Sequence, residues 1–266
     1  MSQPSPPPPP LTVHHLHISQ SERIVFLCEE LQIPYTLKTY TRAPIFAPPD
    51  LAALTPQRSA PVITTTNPVT GVEFNMSESG AIAEYVNTVY GGGKLAVNPD
   101  QANYPDYVFW FHYATASLGP SFFRKMMSLA TDPTGAGTTS QSYYSRSVVM
   151  AGIHKHLAAV EARLASAAAT TTTTYLAGDE FTLADVMTVW SLTTGRQWYQ
   201  VDLSAYPAVL AYLDRVAQRD RYQRAMAKAE PGLDWRRGIT ADGPDLFGPY
   251  RDMLVKMGVD VEKSKG

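Results

Sequence analysis

Residues 11–40 read LTVHHLHISQSERIVFLCEELQIPYTLKTY, and their pattern decides the first half of the fold. Strand-forming residues fill positions 11–16. A helical spacing of apolar residues follows at Ile24, Leu27, Cys28 and Leu31. Pro34 ends that helix, and positions 35–40 have the composition of a second strand. A strand, a helix and a strand within about 30 residues predict a right-handed parallel crossover unit.

The next segment predicts a hairpin covered by a helix. Positions 61–66 (PVITTT) and 72–76 (VEFNM) are strand-like, and the turn signals Asn67-Pro68 and Gly71 separate them. A helix is expected from about 79 to 90. The chain therefore opens with an α/β layer.

The second half is predicted to be helical. The glycine run at 91–93 and the Asn98-Pro99 step interrupt all periodicity. Helical stretches are then expected at 104–130, 141–168, 182–199 and 206–228. The polar, β-branched tracts 131–139 and 170–174 are expected to be surface connections.

This organisation predicts five segments: a disordered proline-rich lead-in at 1–10, an α/β domain at 11–90, a linker at 91–103, an all-helical domain at 104–230 and an extension at 231–266. Leu246, Phe247, Tyr250, Leu254 and Met257 in the extension have the spacing of an amphipathic helix. This helix is expected either to fold over a cleft or to belong to a disordered tail.

Composition excludes several classes of function. The net charge is −2, with 22 basic and 24 acidic residues intermixed, so no footprint for nucleic acid or an anionic membrane is expected. No apolar run approaches the roughly 18 residues of a membrane span, and the N-terminus lacks a signal-peptide pattern. A cytoplasmic location is the expectation. The single Cys28 cannot form an internal disulfide.

Five segments, in order, resemble the glutathione S-transferase family: SQSERIVFLCEELQIPY (19–35), APVI (60–63), SESGAIAEYV (77–86), YLAGDEFTLADV (175–186) and YPAVLAYLDRVAQRDRYQRA (206–225). The stretch FWFHYATASLGP (109–120) resembles the fungal and bacterial branch that includes the yeast enzymes. The resemblance implies a thioredoxin-like domain that holds glutathione as co-substrate, an all-α bundle that shapes a second pocket, and a homodimer.

Ser19 lies where serine-type members of the family direct a hydroxyl at the glutathione sulfur. A thiol has a pKa near 8.5, so a hydrogen-bond donor aimed at the sulfur favours the reactive thiolate. The alternative from the residues alone is that Ser19 or Ser21 merely caps the helix. Gln20 stands where this branch often has arginine, so activation of the sulfur is expected either to be weaker or to be supplied partly by Arg23.

The resemblance assigns further contacts to glutathione. Glu78 and Ser79 begin a helix, where free N–H groups and an acidic neighbour suit the γ-glutamyl end; a simple capped helix is the alternative. Ala60 and Pro61 correspond to the family's cis-proline bend, which presents backbone groups to the cysteinyl part. Arg58 is a candidate for the glycyl carboxylate, and Gln20 is included among the glutathione contacts.

Tyr113, Ser117 and His112 are expected to line the pocket for a small hydrophobic electrophile, although aromatic helices are more often core. No metal site is expected. Strand alternation places His14 on the face opposite His15 and His17, and two imidazoles do not complete a site.

The predicted activity is glutathione transfer to a hydrophobic electrophile, in detoxification or secondary metabolism. The alternatives are a glutathione-dependent isomerase, dehydratase or lyase of a biosynthetic pathway, and a non-catalytic glutathione-binding regulator.

Thr182 and Asp185 have the spacing of a capping box, so either alanine substitution is expected to cost about 1 kcal/mol in stability.

Overall fold

The computed structural model describes residues 8–131, 146–168 and 175–261 of the chain. Most of the polar tracts at 131–139 and 170–174, and most of the proline-rich lead-in, lie outside the described residues. No described helix is long and apolar enough to cross a membrane.

The first half is a four-stranded mixed sheet with helices against it. Its elements are β1 (Leu11–Leu16), α1 (Glu22–Leu31), β2 (Thr36–Tyr40), α2 (Pro49–Ala52), β3 (Val62–Thr66), β4 (Glu73–Ser77) and α3 (Ser79–Val89). The strand order is β2-β1-β3-β4. β1 pairs parallel with β2 and antiparallel with β3, and β4 closes a hairpin with β3. This is the predicted thioredoxin-like arrangement.

The second half is helical, as predicted. Its elements are α4 (Tyr104–Tyr113), a π-helical segment (Ala114–Leu118), α5 (Gly119–Thr131), α6 (Arg146–Ala168), α7 (Leu183–Leu192), α8 (Arg196–Tyr199), α9 (Pro207–Ala217), α10 (Asp220–Ala229), a 3-10 turn (Trp235–Ile239) and α11 (Gly248–Lys256). The fold class expected from the sequence is therefore confirmed.

One predicted helix, 182–199, is interrupted in the structure. The chain leaves α7 after Leu192 and re-enters a short helix at Arg196. Gly195 lies at the break, where a Cβ atom would come within 2.8 Å of the Trp190 carbonyl oxygen and would also meet the Tyr199 hydroxyl. The close approach of these groups requires glycine, and in the helix that follows, Trp198 Nε1 donates to the Ile18 carbonyl oxygen of the first half.

Helix α1 joins the two halves. Its predicted apolar face is buried, with Ile24, Leu27 and Cys28 at 0% exposure. The Phe26 ring packs 5.5 Å from that of Phe181 and 5.1 Å from that of Tyr222, both in the helical half. The turn that precedes α1 is therefore placed by the core of both halves.

The capping box at the start of α7 is confirmed. Thr182 Oγ1 accepts from the Ala184 N–H at 3.2 Å, and Asp185 Oδ2 accepts from the Thr182 N–H at 2.9 Å. Asp185 is fully buried and also accepts from the Leu176 N–H and the Tyr212 hydroxyl, both at 3.1 Å. It therefore organises the strand-like segment before α7 as well as the helix itself.

The described part of the extension, residues 231–261, is folded. Buried Arg196 donates to the carbonyl oxygens of Gly238, Thr240 and Ala241. The predicted amphipathic helix is α11, and its Tyr250 hydroxyl donates to the Met126 carbonyl oxygen of α5 at 3.0 Å. The extension is thus packed against α5 and α8. Whether it restricts a second substrate stays a prediction.

Candidate functional site

The turn between β1 and α1, residues 17–21, has an unusual backbone. Ile18 has a φ of 52°, in the left-handed region that β-branched residues rarely adopt. Its N–H donates to Glu230 Oε1 at 2.6 Å, while its carbonyl oxygen accepts from Trp198 Nε1 at 3.0 Å and Arg42 Nη2 at 2.8 Å. These side chains hold the strained residue in place.

Ser19, the next residue of the turn, is only 7% exposed. Its Oγ lies 2.7 Å from Ser21 Oγ and accepts from the Ser21 N–H at 3.2 Å. The Ser21 side chain makes no capping bond to α1, whereas the bond from the Ser21 N–H to Ser19 Oγ is of the kind that a serine makes at the start of a helix. The Ser19 hydroxyl also lies against the Ser21 hydroxyl, so it belongs to a wider hydrogen-bond system as well.

Ser21 connects this turn to β1. It is fully buried, its Oγ lies 2.8 Å from His15 Nδ1, and it accepts from the Leu16 N–H at 3.0 Å. The Ser21 hydroxyl thus has His15 on one side and the Ser19 hydroxyl on the other.

Glu230, just after α10, completes the cluster. His15 Nε2 lies 3.2 Å from Glu230 Oε1, and His17 Nδ1 lies 3.0 Å from Glu230 Oε2. Burial acts to raise the pKa of Glu230, but hydrogen bonds from His15, His17 and the Ile18 N–H outweigh it and lower the pKa to about 2. The side-chain hydrogen bond to Glu230 raises the pKa of His17.

Strand alternation is confirmed for the three histidines. His14 faces the other way, with Nδ1 2.8 Å from the Tyr40 hydroxyl and Nε2 2.8 Å from Thr64 Oγ1. The ligand-type atoms of His15, His17 and Glu230 all lie within 4.8 Å of one another. His15 and His17 each hydrogen-bond to Glu230, so the three side chains form one hydrogen-bonded cluster in this structure.

Arg23 lies in the first turn of α1 and is 2% exposed. Its guanidinium donates to Gln20 Oε1 at 2.5 Å, to Ser79 Oγ at 3.2 Å and to Ser191 Oγ at 3.1 Å. Burial lowers the pKa of Arg23 to about 10, so it remains charged at neutral pH. The arginine therefore links two predicted glutathione contacts, Gln20 and Ser79.

The start of α3 has a second strained residue. Glu78 is exposed and has a φ of 74°, whereas Ser79 is 5% exposed. Such a backbone in a non-glycine residue is uncommon and concentrates at binding sites. The free N–H groups of the first helical turn favour an anionic group here.

The Ala60-Pro61 peptide bond is cis, as predicted. Pro61 is buried and Ala60 half-buried, directly before β3. Arg58 is exposed and has a φ of 56°. The structure leaves the Arg58 side chain accessible to an anion.

The predicted second pocket lies along α4 and the π-helical segment. The Tyr113 hydroxyl is 2.6 Å from His156 Nδ1, so its polar end is engaged by α6. Ser117 is half-buried within the π-helical segment, and His112 is exposed. π-Helical segments are frequent at functional sites, although their function here stays a prediction.

Sequence reasoning missed Glu230, Trp198 and Arg42, which hold the β1–α1 turn from elsewhere in the chain. Glu230 is 215 residues from His15, and no local pattern relates the two positions. One indication of this cluster was present in the sequence: His15 and His17 lie on a common strand face, and paired histidines there favour an acidic partner.

Comparison with known proteins gives a consistent result. Residues 19–89 match the model "Glutathione S-transferase, N-terminal domain", and residues 141–215 match "Glutathione S-transferase, C-terminal domain". The chain is 28% identical over 233 residues to glutathione S-transferase 3 of Schizosaccharomyces pombe, covering 83% of this chain and 88% of that protein.

Solved structures agree with the sequence matches. A glutathione S-transferase from Actinobacillus pleuropneumoniae superposes with a TM-score of 0.67 at 25% identity, covering 85% of this chain and 96% of the other. A glutathione transferase from Burkholderia graminis, solved with two glutathione molecules bound per subunit, gives a TM-score of 0.63 at 20% identity, covering 84% and 90%.

Proposed function

The chain belongs to the glutathione S-transferase family, and from that premise we propose that it binds glutathione, stabilises the thiolate through Ser19 and transfers it to a hydrophobic electrophile. The observation that carries the proposal is the position of Ser19, whose hydroxyl lies in a turn held by contacts from both halves of the chain. The glutathione complex of the Burkholderia graminis relative supports glutathione as the ligand.

Glutathione is zwitterionic at its γ-glutamyl end, and α3 offers complementary groups. The Ser79 hydroxyl and the first N–H groups of the helix take the carboxylate, and the exposed Glu78 takes the ammonium group. Arg23 orients Ser79 through its 3.2 Å hydrogen bond. The Ala60 backbone contacts the cysteinyl part, Arg58 takes the glycyl carboxylate, and Gln20 lies beside the tripeptide.

Ser19 acts on the sulfur. A free thiol with a pKa near 8.5 is only a few per cent thiolate at neutral pH. A hydroxyl donor at the sulfur, next to the positive end of α1, stabilises the anion. A pKa lowered by two units corresponds to about 2.7 kcal/mol of preferential stabilisation of the thiolate.

The electrophile is assigned to the region of Tyr113, Ser117 and His112. The partly exposed rings on α4 and α5 offer apolar surface, with Phe109 54% and Phe123 55% exposed. A cytoplasmic homodimer, as is usual for the family, completes the proposal.

Product analysis tests the reaction type. The protein is incubated with glutathione and a panel of hydrophobic electrophiles, and glutathione and its adducts are quantified. Transfer predicts adducts formed in proportion to the glutathione consumed, and it predicts their loss in Ser19→Ala. Ser166→Ala, on the exposed surface of α6, is the matched control. Conversion of substrate with full return of glutathione would instead identify an isomerase, dehydratase or lyase, and binding without turnover would identify a regulator.

A further inference from the structure

A continuous chain of hydrogen bonds runs from Ser19 into the protein interior. Ser19 Oγ lies 2.7 Å from Ser21 Oγ, which lies 2.8 Å from His15 Nδ1; His15 Nε2 then lies 3.2 Å from Glu230 Oε1. Ser21 and His15 have no exposed surface, and Glu230 has 4%. The chain therefore connects the proposed thiolate donor to a buried imidazole and carboxylate, away from water.

The direction of these bonds follows from Glu230. Its pKa is about 2, so the carboxylate is ionised at neutral pH and accepts from His15 Nε2–H. In the His15 tautomer that carries its proton on Nε2, Nδ1 is an acceptor, and at 2.8 Å it is a closer acceptor for the Ser21 hydroxyl proton than the Leu16 carbonyl oxygen at 3.3 Å. The Ser21 oxygen in turn accepts from the Ser19 hydroxyl. Every proton points inward, which leaves an acceptor lone pair of Ser19 facing the thiol of a bound glutathione.

We propose that His15 is the acceptor of the glutathione thiol proton, which reaches it through Ser19 and Ser21. The inference rests on the proposed function. The sulfur–hydrogen bond breaks and that proton joins Ser19 Oγ. The former proton of Ser19 moves to Ser21 Oγ, and that of Ser21 moves to His15 Nδ1. The products are a thiolate and an imidazolium, so atoms and charge balance without a further reactant.

The transfer also reverses the direction in which the Ser19 hydroxyl donates its hydrogen bond. Once His15 carries protons on both nitrogens, Nδ1–H donates to Ser21, Ser21 donates to Ser19, and the Ser19 hydroxyl is free to donate to the thiolate. A single proton shift therefore both ionises glutathione and orients the donor that stabilises the anion. His15 acts through the serines, so it is a positioning residue.

The surroundings suit a buried imidazolium. Glu230 supplies the counter-charge at hydrogen-bond distance, and it is itself fixed by His17 and the Ile18 N–H. Among the described residues, Glu22 of α1 and Arg42, which follows β2, also interact electrostatically with Glu230. Burial raises the pKa of Glu22 to about 8, so it is largely protonated at neutral pH and does not compete as a counter-ion.

His14 provides a matched control. It neighbours His15 on the same strand, is 5% exposed, and makes hydrogen bonds of 2.8 Å through both nitrogens. Its partners are the hydroxyls of Tyr40 and Thr64 rather than a carboxylate. Replacing His14 therefore removes a buried imidazole of similar packing without touching the path from Ser19.

The decisive readout is the fate of the thiol proton at pH 7, where ordinary imidazole is mostly neutral, a free thiol is mostly protonated and Glu22 keeps its proton. Glutathione binding is measured by calorimetry in buffers of different ionisation enthalpy, alongside the ultraviolet absorbance of the thiolate. The wild type should form the thiolate while releasing close to no proton to the buffer. His15→Gln and Ser21→Ala should lose most of the thiolate signal, whereas His14→Gln should keep it.

Two results would overturn the relay while leaving the transferase proposal intact: a wild-type thiolate whose formation releases nearly a full proton to the buffer, or an unchanged thiolate signal in folded Ser21→Ala. Thermal melting of each variant establishes folding, and the wild-type measurement stands without any variant. Absence of glutathione binding in the wild type would overturn the proposed function, and the relay with it.

Discussion

Trp198 Nε1 donates a hydrogen bond of 3.0 Å to the carbonyl oxygen of Ile18, which lies 180 residues earlier in the chain. Trp198 is in turn packed by the extension, since its ring centroid lies 5.2 Å from that of Phe247 and 5.3 Å from that of Tyr250. The extension is thus two contacts away from the turn that presents Ser19. Packing at the end of the chain therefore bears on the geometry of the site.

Tyr250 tests this connection. Tyr250→Ala removes a buried ring, so we expect the free energy of unfolding to fall by about 3 kcal/mol and glutathione to bind more weakly. Tyr250→Phe keeps the ring and loses only the hydrogen bond to the Met126 carbonyl oxygen, so about 1 kcal/mol is expected, with affinity unchanged. Urea unfolding and calorimetry measure the two effects. Equal losses in both variants would contradict the role given to the ring.

The capping box separates stability from chemistry. Thr182→Ala should cost about 1 kcal/mol, the usual value for a lost cap. The equal cost expected from the sequence for Asp185→Ala is revised upward to about 3 kcal/mol or more, because that change leaves the Thr182 and Leu176 N–H groups and the Tyr212 hydroxyl without their acceptor. Denaturant unfolding measures both costs. The thiolate signal of each folded variant should match the wild type.

Glu22 makes stability depend on pH near neutrality. Burial raises the pKa of Glu22 to about 8, so the folded protein keeps a proton that the unfolded chain releases above about pH 4.3. The proton retained by the folded state favours folding at low pH, and this contribution to the free energy of unfolding is lost as pH rises from about 4.3 to 8.

Glu22→Gln removes that dependence. Relative to the wild type, its free energy of unfolding should rise across the same window by more than about 1 kcal/mol. Urea titrations at several pH values measure the difference, with Glu84→Gln, an exposed position on α3, as the control. A difference between variant and wild type that stays constant with pH would contradict a buried neutral Glu22.

Glu230 acts in the opposite sense. Its folded pKa of about 2 lies below the unfolded value of about 4.3, so its contribution to stability is present above the unfolded value and is lost as pH falls from about 4.3 to 2. The shift corresponds to about 3 kcal/mol. The free energy of unfolding of the wild type should therefore fall steeply as pH falls below about 4.3. In Glu230→Gln the same decrease should be smaller, because the glutamine has no carboxylate to protonate. An identical decrease in both proteins would contradict the pairing with His15 and His17.

Most of the fold could be predicted because its signals are local. The strand-helix-strand unit, the hairpin and the capping box of Thr182 and Asp185 each reveal themselves within a short window of sequence. The break at Gly195 could not be predicted, because it depends on the approach of Trp190 and Tyr199 in three dimensions. The short α2 also escaped, since four residues offer too little periodicity to detect.

The candidate site divides in the same way. Ser19, Glu78 and Ser79 lie at turns and helix starts whose sequences resemble the family, so they could be proposed. The Glu230 cluster could not, because its members meet only after the helical half packs on β1. The orientation of the Arg23 side chain could not be predicted either, because its contacts to Ser79 and Ser191 require α1, α3 and α7 to be in place.

The central claim is that Ser19 stabilises the glutathione thiolate, and the most direct measurement is ultraviolet titration of protein-bound glutathione in the wild type and in Ser19→Ala. We predict a bound thiol pKa lowered by about one unit or more in the wild type and returned towards about 8.5 in the variant. Tight binding with an unshifted thiol pKa, or an equal shift in both proteins, would contradict the account.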